Sequence, residues 1–366
     1  MPEKTELSQR LTNSFFKRAD GLVHDLWRKF ENTPVEVLLD EELEFFRGSD
    51  RAPLVLYVGL RYDYARREWG LGFEHHNFLN VLVNMGCSVI YFDYDRLRSK
   101  FGNERTSKML REALLCRAPD YLFYFHYLDW IDHEVWKLAS TGMTNTKSII
   151  WLADDHFRYE ETKSLWSLFN LVVTTDKAGW ERRRSEGFEN VHLSQWGCNH
   201  FLYRDLGMAR IHDVTFVGRA HGSRKEFVSR LHKNGVKVST FGPGWAGPGR
   251  VSQGDLVKIL NQSKIALNIS AASKGERLQI KGRDFEAPAC GCVLLTGDSE
   301  ELRSFFVPGE EVVTYTDVAD AAKKIAWLLG NDQLRKTIAA KGKEKCLRDH
   351  TTEKRLRQVF EAADRL

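Results

Sequence analysis

From Pro53 onward the chain alternates short runs of β-branched and aromatic residues with longer amphipathic stretches, and this alternation constrains the fold more than any single motif. Strands separated by helix-length spacers pair in parallel, because each spacer must cross back over the sheet before the next strand begins. Residues 54–58, 88–92, 121–125, 148–152, 171–174 and 191–195 read as six such strands. After a polar connection at 197–212 the pattern restarts, with strands at 214–217, 236–241, 265–269, 293–295 and 311–315 and helices at 225–232, 255–262 and 282–289. A further helix begins after Asp317, where Val318, Ala322, Ile325 and Leu329 share one face behind an aspartate in N-cap position. The expectation is an α/β protein with two Rossmann-like doubly wound domains facing a cleft, and ligands at the carboxyl ends of the strands. The divisions read as an N-terminal helical extension at 1–50, a first Rossmann-like domain at 51–208, a second at 209–348, and a C-terminal helix at 349–366 that can pack back on the first domain. Within the extension, Leu11, Phe15, Leu22, Leu26 and Phe30 fit one helical face.

The length of 366 residues agrees, being too great for one ordinary core and suited to two lobes. The apolar runs, such as 148–153, fall far short of the roughly 20 residues needed to span a bilayer. The N-terminus lacks the apolar stretch and small-residue cleavage site of a signal peptide, so a cytoplasmic protein is expected. Its six cysteines follow no disulfide framework and read as reduced and structural; Cys290 and Cys292 form a C-x-C without further ligands at zinc spacing, so no metal is expected. A net charge of +4 suits anionic small molecules and is too weak to predict nucleic acid.

The most informative segment is 279–296, QIKGRDFEAPACGCVLLT. Lys281 and Arg283 stand at the start of a helix, a combination that favours phosphate, and Glu286 within that helix can accept hydrogen bonds from ribose hydroxyls. Spacing alone is equally compatible with a solvated surface helix. Asp93 and Asp95 form a D-x-D of the kind that holds metals elsewhere, but they follow a first-lobe strand, where acids commonly cap the next helix. Gly59, Gly70 and Gly72 do not make the G-x-G-x-x-G of a dinucleotide site. In FGPGW, 241–245, Trp245 can stack on a base or sugar, or pack as a lid on its own loop.

Five segments, FVGRAHGSR (216–224), FGPGW, SKIALN (263–268), KGRDFEAPACGCVLLT (281–296) and FVPGEE (306–311), together resemble the C-terminal domain of the CgeB-like, spore-maturation-type glycosyltransferases. The likeness covers roughly 210–350, and WLADDHFR (151–158) with TTD (174–176) is similar to that family's first domain. The resemblance implies the GT-B fold, a nucleotide-diphosphate sugar as donor substrate on the second domain, an acceptor on the first, and no obligatory cofactor or metal. It implies donor contacts from Glu286 on the ribose and from Gly218 and Arg219 beside the diphosphate; Arg224, Trp245, Gln279, Lys281 and Arg283 join them as donor-binding candidates on their charge, stacking capacity and place in these segments. Many retaining GT-B enzymes carry a second acid eight residues before the ribose-binding one, where this chain has Leu278, so the stereochemical course stays open.

Without a metal, the departing diphosphate is stabilised by cations, for which Arg219, Arg224, Lys281 and Arg283 are the candidates. An inverting reaction also needs a first-lobe base, and Asp63, Glu74, His126, Asp154 and Asp155 all follow strands in a position to serve. The expected activity is transfer of a sugar to a glycan, protein or small molecule. A second reading is transfer to modified DNA bases, suggested by the run Arg182-Arg183-Arg184, although such a run is usually a solvated helix face. A third, suggested by Leu278, is a non-catalytic nucleotide-sugar-binding or scaffold protein.

Overall fold

The computed structural model describes residues 34–247, 249–270 and 278–366. One sheet has seven strands in the order β1-β3-β2-β4-β5-β6-β7, where β1 is Glu44–Phe46, β2 Leu54–Gly59, β3 Ser88–Asp93, β4 Tyr121–His126, β5 Lys147–Leu152, β6 Leu171–Thr174 and β7 Val191–Leu193. Strands β2 to β7 pair in parallel, and β1 runs antiparallel along β3 with Phe45 opposite Ile90. The other sheet is wholly parallel, in the order β12-β11-β10-β8-β9, from β8 (His212–Val217), β9 (Ser239–Phe241), β10 (Ser263–Leu267), β11 (Val293–Gly297) and β12 (Val313–Tyr315).

Two expectations change. The segment before Pro53 contributes the edge strand β1 beside the helix Val35–Glu42, so it is not helical throughout; the apolar spacing from Leu11 to Phe30 lies outside the described residues. The strand expected at 236–241 begins only at Ser239, because the Val236 N–H closes the preceding helix onto the Leu231 carbonyl at 3.1 Å and the Val238 N–H bonds the His232 ring at 3.3 Å.

Helix starts follow local chemistry. Asp317 accepts the Asp320 N–H at 2.9 Å and opens the helix Val318–Gly330, while Asp93 accepts the Arg96 N–H at 3.3 Å and opens Tyr94–Arg117. Asp93 is thereby spent at the start of that helix.

Residues on successive positions of the first sheet alternate between two apolar layers, as a period of two requires. Leu56, Ile90, Leu122 and Ile150 face one layer; Tyr57, Tyr91, Phe123 and Trp151 face the other. The second layer is covered by the last helix, Thr352–Asp364, whose Phe360 stacks on Tyr121 at 4.3 Å. The chain therefore crosses between the sheets twice, and the two crossings bind each other. The Cys198 N–H donates to the His350 carbonyl at 3.0 Å, and the Thr352 N–H to the Cys198 carbonyl at 2.9 Å. Gly197 permits this approach, since a Cβ there would lie 2.6 Å from the Thr352 nitrogen. Among the described residues no helix is long and apolar enough to cross a membrane.

Candidate active site

The carboxyl ends of the two sheets face a cavity of about 230 Å³. Its first wall is built by the segments after β2, β4 and β5. The segment after β2 is a loop closed on itself, with the Asp63 N–H bonded to the Gly70 carbonyl at 3.0 Å and the Gly72 N–H to the Arg61 carbonyl at 2.8 Å. At its tip Tyr64 and Ala65 both adopt left-handed φ, 52° and 59°. Two consecutive non-glycine residues in that region cost roughly 1–3 kcal/mol each, so the surrounding contacts must hold them there. Those contacts are the perpendicular packing of Tyr64 against Trp69 and Tyr127, both at 5.8 Å, and the ion pair from Asp63 to Arg250 of the second lobe.

Glu74 follows this loop and leads into a π-helical turn, His75–Leu79. It lies on the cavity wall yet is only 8% exposed. Burial, and after it the neighbouring charges of Asp63 and Asp154, push its pKa up to about 7. Asp154, beyond β5, is half-buried and also lines the cavity. His126, the last residue of β4, is buried there too, and burial together with Arg158 drives its pKa down to about 3, so its ring is neutral at physiological pH.

Asp155, adjacent to Asp154, is turned away from the cleft. It is 1% exposed, accepts the Thr174 hydroxyl at 2.5 Å, and forms a two-pronged pair with Arg183, one arm at 2.7 Å. Arg183 is itself fully buried, its guanidinium 4.0 Å from the Trp166 ring. This removes Asp155 from the set of bases that reach the cleft. It also corrects the solvated-face reading at one position of the arginine run: Arg183 is a core residue, whereas exposed Arg182 pairs with Glu160 and Glu186, and exposed Arg184 lies over Trp180.

The second lobe lines the cavity with Gln279, Lys281 and Gly282, from the turn before the helix Arg283–Ala289; the loop after β8 and Arg224 lie beside this lining without entering it. Gly218 sits beneath the 241–245 turn: its N–H bonds the Phe241 carbonyl at 2.9 Å and its carbonyl accepts the Trp245 indole at 2.8 Å. Trp245 packs on Phe216 at 5.6 Å, the lid arrangement, and does not present a face to the cavity. Arg219 reaches across to the first lobe, its guanidinium 4.7 Å from the Trp69 ring, with Arg250 at 5.3 Å from the same ring. Arg224 donates to the carbonyls of Arg219 at 3.1 Å and Ile269 at 3.4 Å. Lys281 lines the cavity, with its ammonium on Gln279, and the Gln279 amide meets the His156 ring of the first lobe at 3.1 Å.

Arg219, Arg224 and Lys281 form no ion pair with a carboxylate among the described residues. Burial lowers the pKa of both Arg224 and Lys281; Asp154 across the cleft opposes it at Lys281, and Arg224 adds to it. His221 in the same cluster is shifted down by burial and then by Arg224, Arg219 and Lys281. Arg283 behaves differently from the expectation that it faces phosphate, because it pairs with Glu286, which is 3% exposed. The helix that begins with Arg283 also carries Asp284 and Glu286 in its first turn, so its own carboxylates occupy the positive end of its dipole.

Several residues of this wall escaped the sequence reading. Asp284, buried, accepts the Lys281 N–H at 2.8 Å, the Asn268 amide at 2.6 Å and the Thr296 hydroxyl at 2.9 Å, and so fixes the turn that carries Lys281. A carboxylate three residues after a backbone turn is a local signal for such capping. Trp69, Arg250 and Phe73 had no local signal, since each acts across the lobes. Phe73 lies against Gly282, where a Cβ would come within 2.8 Å of its ring.

Two Rossmann-like domains with a cleft between the carboxyl ends of their sheets constitute the GT-B architecture of glycosyltransferases. Solved structures show the same fold. HepE from Anabaena, in complex with UDP and glucose, is 12% identical, with a TM-score of 0.56 over 86% of this chain and 100% of that one. Sucrose-phosphate synthase from Thermosynechococcus elongatus is 12% identical, with a TM-score of 0.57 over 84% and 98%. TarM is 13% identical, with a TM-score of 0.53 over 71% of this chain, which spans 58% of the length of TarM. In sequence, residues 220–361 match the family described as glycosyl transferase-like, and this match does not single out the CgeB-like group within it. No match is found among curated proteins.

Proposed function

We propose that the protein is a glycosyltransferase that takes a sugar from a nucleoside-diphosphate donor held against the second sheet and passes it to an acceptor hydroxyl on the first-lobe wall. The observation that carries this reading is the cluster of Arg219, Arg224, Lys281 and His221 at the carboxyl ends of the second sheet, without carboxylate partners among the described residues. Arg219, Arg224 and Lys281 gathered in this way repel one another, Arg224 and Lys281 also lose hydration, and a diphosphate relieves both costs. The UDP complex of HepE, a protein of the same fold, supports a nucleotide donor. The likeness of 216–311 to the CgeB-like group favours that branch of the fold.

Glu74 is the proposed proton acceptor. Asp63 is engaged by Arg250, Asp155 is in the core, and His126 is too weak a base. Glu74 has a pKa of about 7, close to the working pH at which a general base is most effective. The run Arg182-Arg183-Arg184, which suggested DNA, is committed to intramolecular contacts.

Calorimetric titration with UDP tests the donor half. Charge-assisted hydrogen bonds are worth about 1.5–3 kcal/mol, so Arg224→Ala and Lys281→Ala should each weaken UDP binding about 10- to 100-fold, with the melting temperature of the free protein nearly unchanged. Unaltered affinity in both variants, or no binding of UDP or any other nucleoside diphosphate, overturns the assignment.

A further inference from the structure

The two walls of the cavity differ in chemistry, and the first wall indicates what kind of acceptor it takes. Tyr64 borders the cavity and is 54% exposed, the only residue of its aromatic cluster with Trp69 and Tyr127 to be among the exposed large side chains of the described residues. Its backbone is held in the left-handed region, so the loop supports an unfavourable conformation that sets this ring at the cavity edge. Around it stand Asp63, Glu74 and Asp154. The first-lobe guanidinium that lines the cavity, Arg158, is engaged by Glu161 at 2.6 and 3.1 Å; Arg250 of the second lobe pairs with Asp63, and Arg66 lies over the Trp69 ring at 4.6 Å.

We infer that the acceptor is a neutral saccharide, with Tyr64 the residue that stacks on its sugar ring and so determines specificity. A pyranose presents C–H groups on its faces and hydroxyls around its rim. The face of an aromatic ring carries the negative end of a quadrupole and suits those C–H groups, while carboxylates accept hydrogen bonds from the hydroxyls. A uronate, a phosphosugar or a nucleic-acid backbone meets the same carboxylates as like charges, without a disengaged cation on this wall to compensate. The inference rests on the glycosyltransferase reading, which assigns this wall to the acceptor.

Saturation-transfer NMR on the full chain, with saturating UDP, tests it. The probes are maltose, cellobiose and lactose as neutral saccharides, glucuronic acid and glucose 6-phosphate as anionic ones, and a short DNA duplex. At least one neutral disaccharide should bind about tenfold more tightly than any anionic probe, a difference of about 1.4 kcal/mol. Tyr64→Ala should abolish its signal, and Tyr64→Phe and Tyr64→Trp should retain it. Binding of an anionic probe or the duplex as tight as that of the neutral sugars, the absence of any neutral signal, or an undiminished signal in Tyr64→Ala overturns the inference. Should Tyr64→Ala lose its fold by circular dichroism, the Phe and Trp variants decide: loss of signal in both, with fold retained, also overturns it. UDP titration of the same samples separates the two ideas, because loss of UDP binding with saccharide binding kept removes the donor reading alone.

Discussion

The first-lobe wall of the cleft and the second-lobe wall are built on the same strand-and-helix plan and carry opposite charges. On the first, Glu74 and Asp154 stand near Asp63 in a buried setting that raises the Glu74 pKa to about 7. On the second, burial lowers the pKa of both Arg224 and Lys281; Arg283 lowers that of Arg224 further, and Arg224 that of Lys281, which Asp154 and Asp284 oppose. Each wall bears a desolvation cost that its own lobe relieves only in part. The comparison teaches that these charges are placed for something that enters between the walls, since groups serving stability alone are paired, as Asp155 and Arg183 are.

The change expected to separate the walls most is Glu74→Gln. Loss of a general base typically reduces turnover 10²- to 10⁴-fold, and a fall of about that size is expected here. In the unaltered protein kcat/KM should rise with pH through an acid limb near 7, since the carboxylate is the active form. Stability should move in the other direction. The folded-state pKa of Glu74 lies above its ordinary 4.5, so its stabilising effect is full below 4.5 and is lost as the pH rises through 7. At pH 8 the variant should therefore be more stable than the parent, by up to about 3 kcal/mol at 1.36 kcal/mol per pKa unit, and so melt higher. A flat pH profile together with a lowered melting temperature would remove Glu74 from the role of base.

The neighbouring carboxylate should respond in the opposite way. Asp155→Ala strands the buried charge of Arg183 and is expected to cost about 3–5 kcal/mol of stability, with kcat/KM per folded molecule little changed. Denaturant unfolding beside single-turnover rates checks this, and a large kinetic loss in a stable protein would return Asp155 to the cleft.

The smallest expected effect tests how closely the walls must approach. Gly282→Ala places a Cβ within 2.8 Å of the Phe73 ring, an overpacking that costs typically 1–3 kcal/mol. Because the contact joins the lobes, the variant should bind UDP several-fold more weakly, comparable to a loss of about 1 kcal/mol. Unchanged UDP affinity with lowered stability would make the contact structural only.

Much of this was legible in the chain. The strand alternation, the caps at Asp93 and Asp317, and the placing of Lys281, Glu74 and Asp154 after strands or turns all follow from local pattern. The edge strand β1 was missed because three residues, Glu44–Phe46, are too few to show a period of two. Arg183 was missed because its neighbours Arg182 and Arg184 are ordinary surface arginines, and only Asp155 and the rings of Tyr159 and Trp166, brought in from other elements, make its burial tolerable. Arg283 was read as a phosphate ligand although Glu286, three residues on, was available to it on the same helix face.

By itself, then, the sequence determined two parallel sheets and the chain positions at which ligand-facing residues must lie, because hydrophobic period and capping act over a few residues. Tertiary structure decided which of those residues face the cleft. Asp154 and Asp155 follow the same strand, yet one meets the cavity and the other meets Arg183, since desolvation and ion pairing depend on groups that only folding brings near.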